Sequence, residues 1–406
     1  MPSLLTLLFP LVAARLHVLP FVPRPLDPAT ANGNTKPAGL VDSTTLSVSL
    51  ELRDATWQPG GPGTRAIRVF AFAEAGRAPS VPGPLIRTRV GTTVEARITN
   101  RLDRRAVVYG FHDHDGHADS VILARGETRR VTFAAATPGT FFYRARTTVD
   151  AKSVGRTEDS QLVGAFVVDA PGDSARAHER VMVLTAFDDT VKAKGYPDDH
   201  FQAFAINGLS WPHTETFTYS IGDTVTWRVI NASGHGHPMH LHGFHFTVVA
   251  RGYELGDTTF ASAEQRLAVT EFLRTTATMR IAWVASRPGN WLFHCHLIQH
   301  IATSLRLDHD PHMRMASHDR AQDVMSGLVV ALRVRGTAPP PLMSALGNTA
   351  RRRLQLFVTE SKRLAGGTPM LSYVLQDGDA RPSSDSARRP GATLELQQGQ
   401  PVDIVV

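Results

Sequence analysis

The sequence predicts an all-β chain of tandem β-sandwich domains, and two observations carry that prediction. The first is local. Runs such as TTLSVSLELR (44–53), TTVEARIT (92–99) and TRRVTFAAA (128–136) alternate polar and apolar residues, are rich in Val and Thr, and are bounded by Gly and Pro. A period of two turns one side of a strand to a core and the other to water, and no long stretch of helical period competes with it. The second is an internal repeat. PGPLIRTRVGTTVEARI (82–98) aligns without a gap on PGATLELQQGQPVDIVV (390–406), placing Gly91 on Gly399 and Val94 on Val402. YSIGDTVTWRVIN (219–231) is a third copy, with Gly222, Val225 and Asn231 falling on Gly91, Val94 and Asn100. Each copy reads as strand, Gly-centred turn, strand, so three sandwiches are expected, over 44–170, 178–336 and 350–406.

Segments between and before the sandwiches follow from composition. Residues 24–43 are rich in Pro, Gly, Asn and Thr and read as a linker, as do 331–353, which end in Arg351-Arg352-Arg353. The apolar run Leu4–Ala14 is too short to span a bilayer but fits a secretory h-region, with Val12 and Ala14 as small residues before a cut. No Lys or Arg precedes it, so a buried first strand is the alternative. Residues 1–43 are therefore a signal-like segment and linker, and a secreted or periplasmic location is expected. No other segment approaches membrane-spanning length.

The 406 residues are 42% apolar and 20% charged, the balance of a soluble globular protein. Their net charge of +6 is scattered, which argues against a nucleic-acid surface. A single cysteine excludes an internal disulfide and leaves a thiol that is free, bound or reactive.

That cysteine sits in PGNWLFHCHLIQH (288–300), with His294, His296 and His300 around it. Upstream, HGHPMHLHGFHF (235–246) holds His237, His240 and His242. On a strand His240 and His242 share one face; His294 and His296 share one face while Cys295 takes the other. A thiolate can thus bind one metal while its neighbours bind others a strand-width away. Cys295 with His237 and His300 makes one thiolate and two imidazoles, the trigonal set that favours a blue-copper site. Zinc is the rival, but a structural zinc site needs four ligands on one point, and alternation separates these. His235 and His245 fit no ligand position and read as structural or solvated.

At HPMHLHG and HCHLIQHIATSL the chain resembles the multicopper oxidases, densely over the second sandwich and weakly elsewhere. The resemblance implies cupredoxin-like Greek-key domains, with copper as the cofactor. His237, Cys295 and His300 would be type 1 ligands, His240 a type 2 ligand, and His242, His294 and His296 ligands of the type 3 pair. Leu305 falls where the family carries an axial Met or a non-ligating residue, and a leucine there resembles laccase-like sites. The partners implied are a small-molecule or metal-ion electron donor and dioxygen. Electrons would pass from Cys295 through His294 and His296 to a trinuclear centre.

That centre needs eight histidines in the family, four from each of two facing domains. Counting 18 and 20 residues past the shared glycine gives His240 and His242 in the second sandwich but Tyr109 and Phe111 in the first. Counting from the later Pro-Gly gives His294, Cys295 and His296 in the second but Arg144, Ala145 and Arg146 in the first. The first sandwich is therefore expected to lack copper, unless His112, His114 or His117 of FHDHDGHADS substitute; that loop reads as solvated. The same count from Gly399 runs past Val406, so a chain cut within its third domain is the expectation. A partner chain or a missing C-terminal domain would then complete the centre. A homo-oligomer meets the objection that each subunit lacks the other four histidines. The functional expectation is an oxidase if that half is supplied, or else a non-catalytic type 1 copper protein that carries electrons. His312, Met313, Met315 and His318 read as a mobile polar loop, with transient cuprous binding as the alternative.

Overall fold

A computed structural model describes residues 26–148, 157–173, 178–188, 202–302, 325–337, 351–365, 368–376, 381–387, 391–397 and 400–406. The readings of the apolar run 4–14, of Leu305, of the loop from His312 to His318 and of Gly399 lie outside these residues. Among the described residues, no helix is long and apolar enough to cross a membrane. The chain is all-β, and it divides into a unit running to Arg335 and another from Gly336 onward.

The first unit holds two sandwiches. In the first, an eight-stranded sheet centred on Thr45–Trp57 and Thr92–Asn100 faces a five-stranded one containing Ala106–Tyr109, Gly139–Arg146 and Val163–Asp169. In the second, a seven-stranded sheet built on Glu179–Asp188, Thr224–Asn231 and Ala277–Val284 faces five strands. Those five run in the order Thr216–Ser220, Val329–Arg335, Gly289–Cys295, His237–Leu241, Thr270–Leu273, so the last is an edge.

The repeat seen in sequence has a physical basis. Gly91 and Gly222 both take the left-handed backbone, with φ of 88° and 93°, at tight turns that β-branched residues resist. Val94 and Val225 are fully buried. Asn100 and Asn231, also fully buried, do the same work: each side-chain amide donates to three backbone carbonyls, those of Arg104, Leu123 and Ala124 for Asn100 and of His235, Leu273 and Arg274 for Asn231. A carboxylate could not donate there, and an alanine would leave three loop carbonyls without that donor.

The core of the second sandwich is aromatic. Trp227 packs against Phe293 at 4.9 Å and Trp283 at 5.4 Å. Phe293 is fully buried and lies two residues before the cysteine, so its burial, about 2–3 kcal/mol, fixes which face of that strand turns inward. The two sandwiches join through Leu85, Phe142 and Val167 of one against Val181, Val183 and Ile230 of the other. Beside that apolar seam Arg87 and Arg228 pair with Asp169 and Glu179, with Nε of Arg228 2.7 Å from Glu179. Each buried charge has a partner of opposite sign, as burial requires.

Two segments that read as linkers are tied down. Asp27–Pro28 runs parallel to Ala55–Thr56, Thr30–Ala31 runs beside Ser80–Val81, and Ala38 is buried. The exposed edges of the first sandwich supply the backbone partners, which composition alone does not report. In the second unit Arg352 and Arg353 begin the strand Arg352–Ala365, which lies between Thr368–Gln376 and Val402–Val405.

Candidate metal centre

His237, Cys295 and His300 converge. His237 lies on the strand His237–Leu241, whose alternation buries His237, Met239 and Leu241. Cys295 ends Gly289–Cys295 directly opposite Met239. His300 comes from the one-turn 3₁₀ helix Ile298–His300 that follows. The Cys295 sulfur stands 3.6 Å from Nδ1 of His237 and 3.5 Å from Nδ1 of His300, and the two nitrogens are 3.1 Å apart. An ion held trigonally with bonds of about 2.0–2.3 Å sets its ligand atoms roughly 3.5–3.8 Å apart, so this triangle needs to widen by a few tenths of an ångström. It is the group of three among the described residues whose ligand atoms lie within reach of one ion.

Ser233 prepares the site, and sequence reasoning missed it. Its hydroxyl is 2.8 Å from the Asn231 side-chain oxygen and 2.7 Å from Nε2 of His237. An oxygen acceptor on one side makes the hydroxyl a donor there, so His237 donates its Nε2–H to Ser233. The lone pair on Nδ1 then faces Cys295 and His300. Only the Asn-x-Ser spacing Asn231–Ser233 hints at this in sequence. Burial holds both imidazoles neutral, with His237 lowered to about 3 and His300 to about 4. Burial also pushes the Cys295 thiol up to about 11, so a bound cation is needed to make it a thiolate near neutrality.

The other four histidines gather on the opposite face of the same strands. His240 lies opposite His294, and the rings of His240, His242, His294 and His296 neighbour one another at 5.0–5.8 Å. Nε2 of His242 is 2.9 Å from Nε2 of His294. Nδ1 of His294 donates to the carbonyl of Cys295, and Nδ1 of His240 lies 2.8 Å from both the Val269 carbonyl and the Thr270 hydroxyl. In His240 and His294 these bonds occupy Nδ1 and leave Nε2 with its lone pair, the usual division of labour in metal-binding histidines. Burial lowers His294 to about 4, and burial is also the first cause lowering His240 and His242. Gly243 makes the turn after His242 with φ of 77°, and a Cβ there would sit 2.4 Å from the Trp291 ring, which explains the glycine.

The corresponding face of the first sandwich is different in kind. Tyr109 lies opposite Arg144 in the register that puts His240 opposite His294. The guanidinium groups of Arg144 and Arg146 stand 4.7 and 5.5 Å from the centre of the Tyr109 ring. Arg144 also holds Glu254 of the second sandwich through bonds of 2.5 and 2.9 Å. Guanidinium groups stay protonated and offer no lone pair to a metal. Phe111 is buried in the core.

The loop FHDHDGHADS is solvated from Asp115 to Ser120, as expected, but its first part is not. His112 and His114 are buried, and His114 stacks on Phe141 at 4.0 Å with its ring nearly parallel. The reason is Asp113, whose carboxylate accepts from the backbone N–H groups of Ala136 and Thr137 and draws the loop inward. His114, lowered to about 3 chiefly by burial, has no hydrogen-bond partner for Nε2 among the described residues. His117 is exposed beside Asp115. His235 packs 5.3 Å from His300, and His245 is exposed.

The family model described as multicopper oxidase matches residues 183–308, which contain all seven of the candidate ligands. Over those residues the chain is similar to the multicopper oxidases. Laccase-6 of Oryza sativa subsp. japonica is 36% identical over 105 residues, 24% of this chain and 18% of the laccase. The chain thus spans about a fifth of the length of that curated relative. Two solved structures share the fold. The multicopper oxidase mgLAC is 21% identical with a TM-score of 0.56, covering 73% of this chain and 88% of that one. The blue copper oxidase from Nitrosomonas europaea is 19% identical with a TM-score of 0.55, covering 71% and 86%. At these identities the likeness shows the fold alone, which is cupredoxin-like.

Proposed function

We propose that the chain is a copper-dependent oxidoreductase of multicopper oxidase type. With copper bound, His237, Cys295 and His300 would hold a type 1 ion able to accept electrons one at a time from a small-molecule or metal-ion donor, and His240, His242, His294 and His296 would supply half of a trinuclear centre. Copper, when bound, supplies the one-electron redox chemistry. The residues supply position. His237, Cys295 and His300 hold the type 1 ion in a buried, water-poor pocket. Cys295 is covalently joined to His294 and His296, so the thiolate site and the four-histidine face are linked by a few bonds. His240 is the type 2 ligand, and His242, His294 and His296 are the type 3 ligands.

The observation that carries this reading is the buried sulfur–imidazole–imidazole triangle back to back with four imidazoles on the other face of the same strands. The described sheets are read as three cupredoxin-like domains, over 44–170, 178–336 and 350–406. Export to the periplasm or exterior follows from the apolar run Leu4–Ala14.

Dioxygen uptake by copper-loaded protein with a one-electron donor tests the proposal, and uptake that stops in Cys295→Ser is the expected result. One observation favours a second reading. Tyr109, Phe111, Arg144 and Arg146 stand where the first sandwich would need histidines, which suits a type 1 copper protein that only carries electrons. Bleaching of the blue band by a donor, with no dioxygen consumed, would favour that carrier.

A further inference from the structure

A groove of about 380 Å³ opens where the seven-stranded sheet of the second sandwich meets the turn after His242. That volume lies within the range of small-molecule sites, about 300–1,000 Å³. None of the seven candidate copper ligands lines it. Its shape follows from the register. Leu267, Thr247 and Ala282 lie side by side on three neighbouring strands, so their side chains share one face of the sheet. Val284 is two residues beyond Ala282 on that same face, opposite Thr224. Leu267 is 68% and Val284 48% exposed. Only Thr247 and Ala282 stand between these two large apolar side chains, which leaves a slot two strand spacings wide, about 9–10 Å. A flat six-membered ring fits such a slot. Phe244 and Trp283, whose rings touch at 4.8 Å, add aromatic surface to the lining.

The polar groups call for an anion on that ring. His245 and Arg287 line the groove, and Trp291 ties their two loops together: its ring lies against Gly243, and its Nε1–H donates to the Arg287 carbonyl at 3.3 Å. Other arginines of this sandwich, Arg251, Arg266 and Arg280, are paired with carboxylates. Arg287 pairs with none among the described residues. The nearby Asp223 is committed elsewhere, accepting from the backbone N–H of Ser220 at 2.8 Å and lying 3.4 Å from His178. Trp283 adds a second unmet need. It is 3% exposed, and its indole N–H has no acceptor among the described residues. A buried donor left unpaired is costly, and a carboxylate oxygen is a strong acceptor.

We propose that this groove binds a small aromatic carboxylate, with the ring lying over Ala282 between Leu267 and Val284 and the carboxylate held by Arg287. His245 and the Trp283 N–H are its further polar contacts. Gly243 lines the groove too, directly after His242, so an occupied groove braces the turn that carries one of the face histidines. The site is built without any candidate copper ligand, so it stands or falls apart from the copper reading.

Isothermal titration of the full, copper-free chain with benzoate tests it, with tryptophan emission followed on the same samples. The expected result is saturable binding of one benzoate per chain, with an emission change that disappears in Trp283→Phe. Arg287→Gln, at an exposed position, weakens binding by at least about tenfold, because a charge-assisted bond is lost. Ala282→Phe fills the slot and abolishes binding, while circular dichroism stays that of the wild type. Benzyl alcohol, the same ring without the charge, binds at least about tenfold more weakly. No saturable binding at millimolar benzoate overturns the proposal. Binding that survives both Arg287→Gln and Ala282→Phe overturns it too, because the site then lies elsewhere. Benzyl alcohol bound as tightly as benzoate overturns the assignment of a carboxylate to Arg287.

Discussion

Ser233→Ala should loosen the proposed blue-copper site without touching any of its proposed ligands. Ser233 is 1% exposed, and its hydroxyl is the acceptor for Nε2–H of His237 at 2.7 Å. Without it a buried donor loses its partner, at a cost of about 1–3 kcal/mol. The imidazole can recover by moving its proton to Nδ1, but that nitrogen is the one 3.6 Å from the sulfur. Copper must then displace the proton before it binds. Removing such an orienting partner lowers metal affinity by about 10–100-fold, which is about 1.4–2.7 kcal/mol at the usual conversion. The assay is competition for copper against a chelator of known affinity, followed by the blue band. Thr99→Ala, which removes a buried hydroxyl paired with Thr128 in the first sandwich, is the control and should leave copper affinity unchanged. Equal affinities in wild type and Ser233→Ala would refute the tautomer argument.

Three further outcomes are expected. His114 ordinarily titrates near 6.5 but is lowered to about 3 in the fold, so the unfolded chain binds its proton first and stability falls as pH drops below 6.5. At pH 5 this amounts to about 2 kcal/mol; urea unfolding of copper-free protein at pH 7 and pH 5 should show a smaller difference in His114→Leu by that amount, and an equal difference would refute the assignment. Gly243→Ala strains a left-handed position by about 1–2 kcal/mol and pushes a Cβ into Trp291, so non-blue copper should be lost while the blue band persists. Cys295→Ser replaces the soft thiolate and should abolish the blue band while the protein still folds, as read by circular dichroism; a surviving band would place the chromophore elsewhere.

What was legible in the sequence was local. Strand alternation alone separates Cys295 from His294 and His296, because side chains on a strand must alternate, and the register of the folded chain has the same two faces. The blank positions Tyr109 and Arg144 were found by counting, and they lie opposite each other as His240 and His294 do. What was not legible depends on contacts distant in sequence. The inward pull of His112 and His114 comes from Asp113 reaching residues 136 and 137. The capture of Arg144 by Glu254 joins residues 110 apart. The tying down of 27–31 needs open sheet edges that exist only once the first sandwich has formed. Composition called those residues a linker because Pro, Gly and Asn favour turns, and turns can lie against a sheet as easily as in water.

We propose that one face of a strand pair holds a blue copper and the other face part of a copper cluster. Bound copper per chain, measured on copper-loaded protein beside its visible spectrum, tests it most directly. The expected result is an intense blue band that depends on Cys295, together with more than one copper per chain. Full loading with no blue band would contradict it, because the triangle of His237, Cys295 and His300 would then not be the site that the geometry describes.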